Sequence, residues 1–350
     1  MNDNPTATTV DVLTEIWQRV LRRSPIAPDD NFFDLGGNDS LADSIFAEIA
    51  RVCNRELPSA TICYAPTIAA LATLMEQPAF PRLPPFVQLK TAGEEPPILI
   101  AHGLDGRASF SHLAKHIRTG HSIYGIQAKG VDGMEEPLDR IEDMAKFYLD
   151  ALGEVQPRGP YILIGYSFGG LVALEMAQRL SERGEIVALL VLVDAYPHPR
   201  HLSSGQRLRL IARRTRRHIS EMKQRPAREA ISYFVRGIER RSGISSGRNR
   251  GDHLPETCRL SLARTLSHVH DRAYVAFRHY RPRFYRGKIK FVKAEVNSYF
   301  PDDPTAVWGG LAEELEVETV PGNHLELVRA EFGGLAAALT RYVRGSAYPQ

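Results

Sequence analysis

The chain has 350 residues, 43% hydrophobic and 24% charged, with a formal net charge of +3; that balance suits soluble globular structure in more than one domain and excludes disordered or fibrous chains. Its three cysteines, Cys53, Cys63 and Cys258, form neither an even-numbered framework nor a zinc-like spacing, so no metal and no disulfide are expected and the reading is a reduced, cytoplasmic protein. No apolar run approaches the roughly 20 residues that span a bilayer, and the opening MNDNPTATTV lacks the basic-then-apolar pattern of a secretory leader.

Residues 10 to 76 read as all helical. Val10, Leu13, Ile16, Trp17, Val20 and Leu21 recur at three- and four-residue steps and draw one apolar stripe. Pro25 and Pro28 end that helix. After a loop to Gly36-Gly37, a second helix places Leu41, Ile45, Phe46, Ile49 and Val52 on one face, and Pro66-Thr67 opens a short third through Ile68, Leu71 and Leu74. The prolines at 78, 81, 84 and 85 leave no room for helix, which predicts a domain over 1–76 and a linker over 77–90.

From 91 to 350 buried strands alternate with helices. Apolar runs at 97–101, 122–126, 161–165, 187–194, 288–294 and 315–320 predict a mostly parallel sheet covered on both faces. Residues 197–280 interrupt the series with helix-like sequence, where a lid would sit. This insertion carries the strongest charge in the chain: from Arg200 to Arg250 there are fifteen Lys and Arg against three acidic residues. Interspersed Leu208, Leu210, Ile211, Ile219 and Phe234 favour a solvated helical face, and no nucleic-acid motif accompanies the charge. The same face would suit an acidic protein partner.

Gly165-Tyr166-Ser167-Phe168-Gly169 stands where a strand runs into a helix. A turn that sharp needs glycines around it and lifts the serine hydroxyl above the sheet, which makes Ser167 the expected nucleophile of an α/β-hydrolase domain. Its base and orienting acid should follow in chain order. His324, behind Pro321-Gly322 at the end of the last strand, is the expected base. For the acid, Asp194 closes an unbroken apolar strand, while Asp302 and Asp303 follow the next one in a proline-flanked loop; the pattern favours Asp194 without excluding the others. Backbone N–H groups of Leu104, in the Gly-rich turn after His102, and of Phe168 are the expected oxyanion donors. His102 precedes the serine and is assigned a structural role.

Together these residues resemble the thioesterase that terminates nonribosomal peptide and polyketide synthases, over nearly the whole chain. The segment Ile162 to Gly170, Asp194 in Leu192-Val193-Asp194-Ala195-Tyr196, and His324 in Gly322-Asn323-His324 carry the resemblance. It implies that Asp194 is the acid and that 197–280 is the helical lid over an acyl chamber. Asp30-Asn31-Phe32-Phe33-Asp34-Leu35-Gly36-Gly37, then Asp39-Ser40-Leu41, is similar to the carrier domain that precedes such a thioesterase. The resemblance implies 4′-phosphopantetheine esterified to Ser40, a phosphopantetheinyl transferase to attach it, and upstream synthetase modules or a loading enzyme to supply the acyl or peptidyl thioester. One departure stands out: the family's serine usually lies two residues after the second glycine, a position held here by Asp39. Either the loop shifts and Ser40 is modified, or the carrier is not primed. The residues also allow an esterase or lipase of the same fold, and a non-catalytic docking module; the carrier-like domain speaks against the first and the triad against the second.

Overall fold

A computed structural model describes residues 8–77, 84–93, 95–223, 261–296, 300, 301, 303–329 and 332–346. Helix α1 (Thr9–Leu21) begins on a reciprocal cap in which the Thr8 hydroxyl oxygen accepts from Asp11 N–H and the Asp11 carboxylate accepts from Thr8 N–H. Its apolar face buries Leu13, Ile16 and Trp17 against Ala42, Ile45, Phe46 and Ile49 of α2 (Asp39–Cys53). A 3₁₀ turn (Ser59–Cys63) and α3 (Ile68–Met75) close this small bundle. The Trp17 and Phe32 rings meet edge to face at 5.5 Å. Phe32 also occupies the space that a Cβ at Gly37 would need.

The second unit is a sheet of seven strands: β1 (Phe86–Lys90), β2 (Glu95–Ala101), β3 (His121–Ile126), β4 (Tyr161–Tyr166), β5 (Val187–Val193), β6 (Tyr285–Val296) and β7 (Ala312–Asn323). Their order is β1-β3-β2-β4-β5-β6-β7; β1 runs antiparallel to β3 and every other neighbouring pair is parallel. Successive side chains point to opposite faces. Leu99, Leu163 and Leu190 therefore join the core under α5 (Ile141–Leu152) and α6 (Phe168–Glu182). Ile98, Ile100, Ile162, Ile164 and Val191 face the opposite core, covered by α4 (Ser111–His116) and α11 (Phe332–Gly345). Burial on both faces explains why these strands read as continuous apolar runs.

Strand β1 lies inside the stretch expected to be linker. Phe86 is its only fully buried residue. As an edge strand it needs no long apolar run, and the prolines just before it mask the pattern.

The chain goes from β2 to β3 on one side, then returns to β4 on the other. That reversal makes a topological switch point beside β2, and ligands bind there, outside the carboxyl ends of the strands. Three further helices lie near this end. They are α7 (Ser204–Lys223) and α8 (Leu262–His279), both within the expected lid, and the short α9 (Pro304–Trp308) after β6. Residues 224–260, with much of the basic block and Cys258, lie outside the described residues.

One buried carboxylate ties the end of α8 to α6. Glu175, 2% exposed, accepts from Arg179 Nε at 2.8 Å and from the Tyr280 hydroxyl at 3.0 Å, with Arg283 at 3.5 Å. Burial and the Glu175 charge hold the Tyr280 phenol well above its ordinary pKa, so it stays a donor. Glu175→Ala leaves those donors without their acceptor and should cost about 2–3 kcal/mol of stability. A fall in the urea midpoint at unchanged slope is the expected result.

Candidate active site

Strand register brings the site together. Tyr166 pairs with Val193, so Ser167 and Asp194, the next residue on each strand, leave the sheet side by side. Both carry positive φ: Ser167 at 54° with ψ −120°, and Asp194 at 46°. Such backbone is costly for a residue with a Cβ and is held by the ladder on either side. Ser167 N–H donates to Val193 O at 2.9 Å, and Asp194 N–H to Val292 O at 2.7 Å.

The turn at Ser167 depends on close approach. A Cβ at Gly169 would overlap the backbone of Ala101 and His102, and one at Gly165 would overlap Gly169 and Gly170. The first turn of α6 thus packs directly onto the end of β2. There the turn Gly103–Gly106 is closed by Gly106 N–H donating to Gly103 O at 3.2 Å, with Gly106 at φ +75°. Leu104 N–H makes no backbone hydrogen bond among the described residues. Phe168 opens α6, where N–H groups have no partner within the helix.

His324 follows β7 directly. Its Nδ1 lies 2.8 Å from Asp194 Oδ2; an N–H there donates to the carboxylate and leaves Nε2 free to accept a proton. Asp194 is fully buried, and its other oxygen has no partner among the described residues. The imidazole is gripped from both sides. Tyr166 stacks on it with centroids 4.9 Å apart, and Phe300 lies at 4.8 Å. The Tyr166 hydroxyl donates to the His324 carbonyl at 2.8 Å. Asn323 steadies the turn, its Oδ1 accepting from Leu325 and Glu326 N–H, both at 3.1 Å. No hydrogen bond joins Ser167 Oγ to His324 among the described residues; such contacts are often loose until substrate is bound.

The alternative acids are placed elsewhere. Asp303 is exposed and caps α9, accepting from Thr305 N–H at 2.9 Å; Asp302 lies outside the described residues. His102 has no route to act as base. It is completely buried, Nδ1 donating to Gly103 O at 2.7 Å and Nε2 accepting from the Tyr148 hydroxyl at 2.8 Å. Burial pushes its pKa down, which keeps it neutral and holds the Gly103 turn. Sequence reasoning missed Tyr166 and Phe300 as walls of the histidine pocket. Tyr166 sits within the serine pentapeptide and was open to that reading; Phe300 carried no local signal.

Ser40 is exposed in the first turn of α2, behind the cap in which Asn38 Oδ1 accepts from Leu41 N–H at 3.1 Å. Its hydroxyl makes no hydrogen bond among the described residues, and unpaired N–H groups lie beside it. An exposed hydroxyl at a helix N-terminus fits a phosphodiester. A cavity of about 510 Å³ separates this end of the bundle from the sheet unit, and Asn38, Asp39, Arg107 and Val328 are among its lining residues. Asp39, not Ser40, faces it. Among the described residues no group of three or more His, Cys, Asp or Glu is placed to hold a metal, and no helix is long and apolar enough to cross a membrane.

Residues 96–341 match the family model for a thioesterase domain, and residues 11–75 that for a phosphopantetheine attachment site. A dimodular nonribosomal peptide synthase of Bacillus subtilis is 37% identical over 190 residues, 54% of this chain and 8% of that protein. Enterobactin synthase component F of Escherichia coli is 34% identical over 177 residues, 48% of this chain and 13% of its own length. The chain thus spans a small fraction of these relatives. A four-domain nonribosomal peptide synthetase solved with AMP and glycine superposes on all of this chain with a TM-score of 0.56 at 20% identity, covering 27% of that structure. That likeness is one of fold.

The elbow geometry has a direct test. Gly169→Ala drives a methyl group into two backbone carbonyls that cannot rotate away. A loss of about 3 kcal/mol or more is expected, read as a drop in Tm; a Tm within 1–2 °C of wild type, or about 0.5 kcal/mol, would show that α6 is not seated this closely on β2.

Proposed function

The chain belongs to the thioesterase family, as a carrier–thioesterase didomain of the α/β-hydrolase fold, and on that premise we propose that Ser167, His324 and Asp194 release an acyl or peptidyl chain from a phosphopantetheine thioester. The observation that carries the reading is the His324–Asp194 hydrogen bond of 2.8 Å, standing over a serine held at the strand-to-helix turn.

The chemistry follows from the positions. Asp194 accepts from His324 Nδ1–H, which fixes the tautomer and leaves Nε2 as base. As Ser167 Oγ bonds to the thioester carbonyl carbon, its proton passes to Nε2. The carbonyl oxygen gains negative charge opposite the N–H groups of Leu104 and Phe168. When the tetrahedral intermediate collapses, the carbon–sulfur bond breaks and the sulfur takes the proton from His324. An acyl ester on Ser167 remains. His324 then draws a proton from water, or from a nucleophile within the chain, as that group bonds to the acyl carbon. The bond to Ser167 Oγ breaks, Oγ takes the proton from His324, and an acid, or a ring or transferred product, is released. The buried Asp194 carboxylate favours the imidazolium formed in each half-reaction.

The attachment domain of this family supplies a covalent phosphopantetheine whose terminal thiol carries the acyl chain as a thioester. In this chain Ser40 is the residue that would hold it. Its exposed hydroxyl supports attachment by a phosphopantetheinyl transferase, and upstream synthetase modules or a loading enzyme would supply the acyl or peptidyl group, all in the cytoplasm. Domains over 1–76 and 91–350 with a lid over 197–280 complete the reading, the sheet unit starting a few residues early at Phe86.

Ser167→Ala should abolish turnover of a soluble acyl-pantetheine thioester while leaving the unfolding transition in place. Asp194→Asn should lower kcat by about 10³–10⁴ through the wrong imidazole tautomer. Retained turnover in Ser167→Ala would overturn the assignment. Incubation with a transferase and coenzyme A should add one phosphopantetheinyl group to the intact mass, and Ser40→Ala should prevent it. An undiminished gain in that variant would move the attachment elsewhere.

A further inference from the structure

Helix α8 belongs to two cores. Leu262 and Val269, in its first half, are buried within the carrier bundle, with Leu266 packed against it. Ala273 and Ala276, in its second half, are buried in the sheet core together with α5 and α6. The helix has 18 residues and so reaches roughly 27 Å.

Its N-terminus is capped from the other domain. Leu262 N–H donates to Asp43 Oδ1 at 3.0 Å, and the Ser261 hydroxyl donates to Oδ2 at 3.1 Å. From within the carrier the Ser59 hydroxyl donates to the same carboxylate. Ser261 makes no cap bond of its own. Asp43 therefore does what an N-cap residue would do, with its charge at the positive end of the helix.

Farther along, α8 packs on Gly106, in the same turn as Leu104, and on the Phe168 ring. A Cβ at Gly106, which closes the turn containing Leu104, would overlap Val269. The Phe277 ring lies 6.4 Å from Phe168, edge to face, and 5.1 Å from His198. One helix thus runs from the Asp43 cap to the Gly103–Gly106 turn and the Phe168 ring.

We propose that Asp43 is a positioning residue for the thioesterase site: by capping α8 it sets Val269 and Phe277 against the Leu104 turn and Phe168, so the seated carrier is a structural part of the acyl chamber. The claim rests on the function proposed above for its kinetic consequence, while the structural coupling can be read without it.

The test uses the full chain and a soluble acyl-pantetheine, which needs no arm on the carrier. Asp43→Ala should raise amide exchange over 262–266 about tenfold, the effect of losing a charge-assisted hydrogen bond. It should also raise exchange over 103–106 and lower kcat about tenfold, with a smaller change in KM, because displaced oxyanion donors act on the transition state. Asp43→Asn, which keeps an acceptor for Leu262 N–H, should recover most of both. Glu48→Ala, on the same helix but bonded only to Arg19 and Arg51, should change neither. Raised exchange at 262–266 with unchanged kcat would overturn the proposal, as would unchanged exchange there. If Asp43→Ala fails to fold, Ser261→Ala decides: it spares the Ser59–Asp43 bond and must move exchange and kcat in the same directions. If wild type turns over no acyl-pantetheine, the thioesterase reading falls. The coupling then stands or falls on whether Asp43→Ala raises exchange over 103–106.

Discussion

The first turn of α6 lies against the end of β2 with no side chain between them, and the rest of the site depends on that approach. It requires glycine at 165 and 169. It brings the Phe168 N–H toward the turn that holds Leu104, and it forces Ser167 into a positive-φ conformation that an isolated turn would not keep. The strain is held by the most buried strands in the chain, since β4 and β5 support Ser167 and Asp194 from below. The conformation of Ser167 therefore draws on the stability of the whole sheet.

That constraint explains what the site needs from elsewhere. The sheet places Ser167 and Asp194 by register, but His324 arrives on a loop and Leu104 on a Gly-rich turn. Each loop is secured separately. Tyr166, Phe300 and Asn323 hold the first; buried His102 holds the second from below. The same turn meets α8 at Val269, and α8 begins on Asp43. A loop too short to hold its own shape is braced by a helix anchored in a different domain. Removing the carrier from such an arrangement exposes Leu262 and Val269 together with the helix N-terminus, so carrier and α8 are expected to move as one body.

Much of this was legible in the sequence, for identifiable reasons. Strands buried on both faces leave apolar runs, and all six expected strands formed where those runs lie. The elbow was legible because its glycines answer a steric demand fixed by chain geometry. The meeting of His324 with Asp194 was legible because parallel topology sends the loops after the strands to one end of the sheet. What escaped notice has no local signature. β1 is an edge strand beside prolines and needs little apolar character. Asp43 looks like any exposed helical aspartate, and its partners in α8 lie more than two hundred residues away. Contacts between domains obey no periodicity within either.

The position of Ser40 follows the same logic. One residue along an α-helix rotates a side chain by about 100°. Asp39 stands where the resemblance places the serine, and it lines the same cavity as Arg107 and Val328. Ser40, one step on, is turned away from that cavity and open to solvent. If Ser40 holds the arm as proposed, its thioester starts on the side of α2 away from that cavity. Carrying it to Ser167 would then call on the arm to bend around α2, or on α2 to turn. Turning α2 would pull Asp43 from the cap of α8. On that reading, delivery from Ser40 and the Asp43 cap of α8 draw on the same helix.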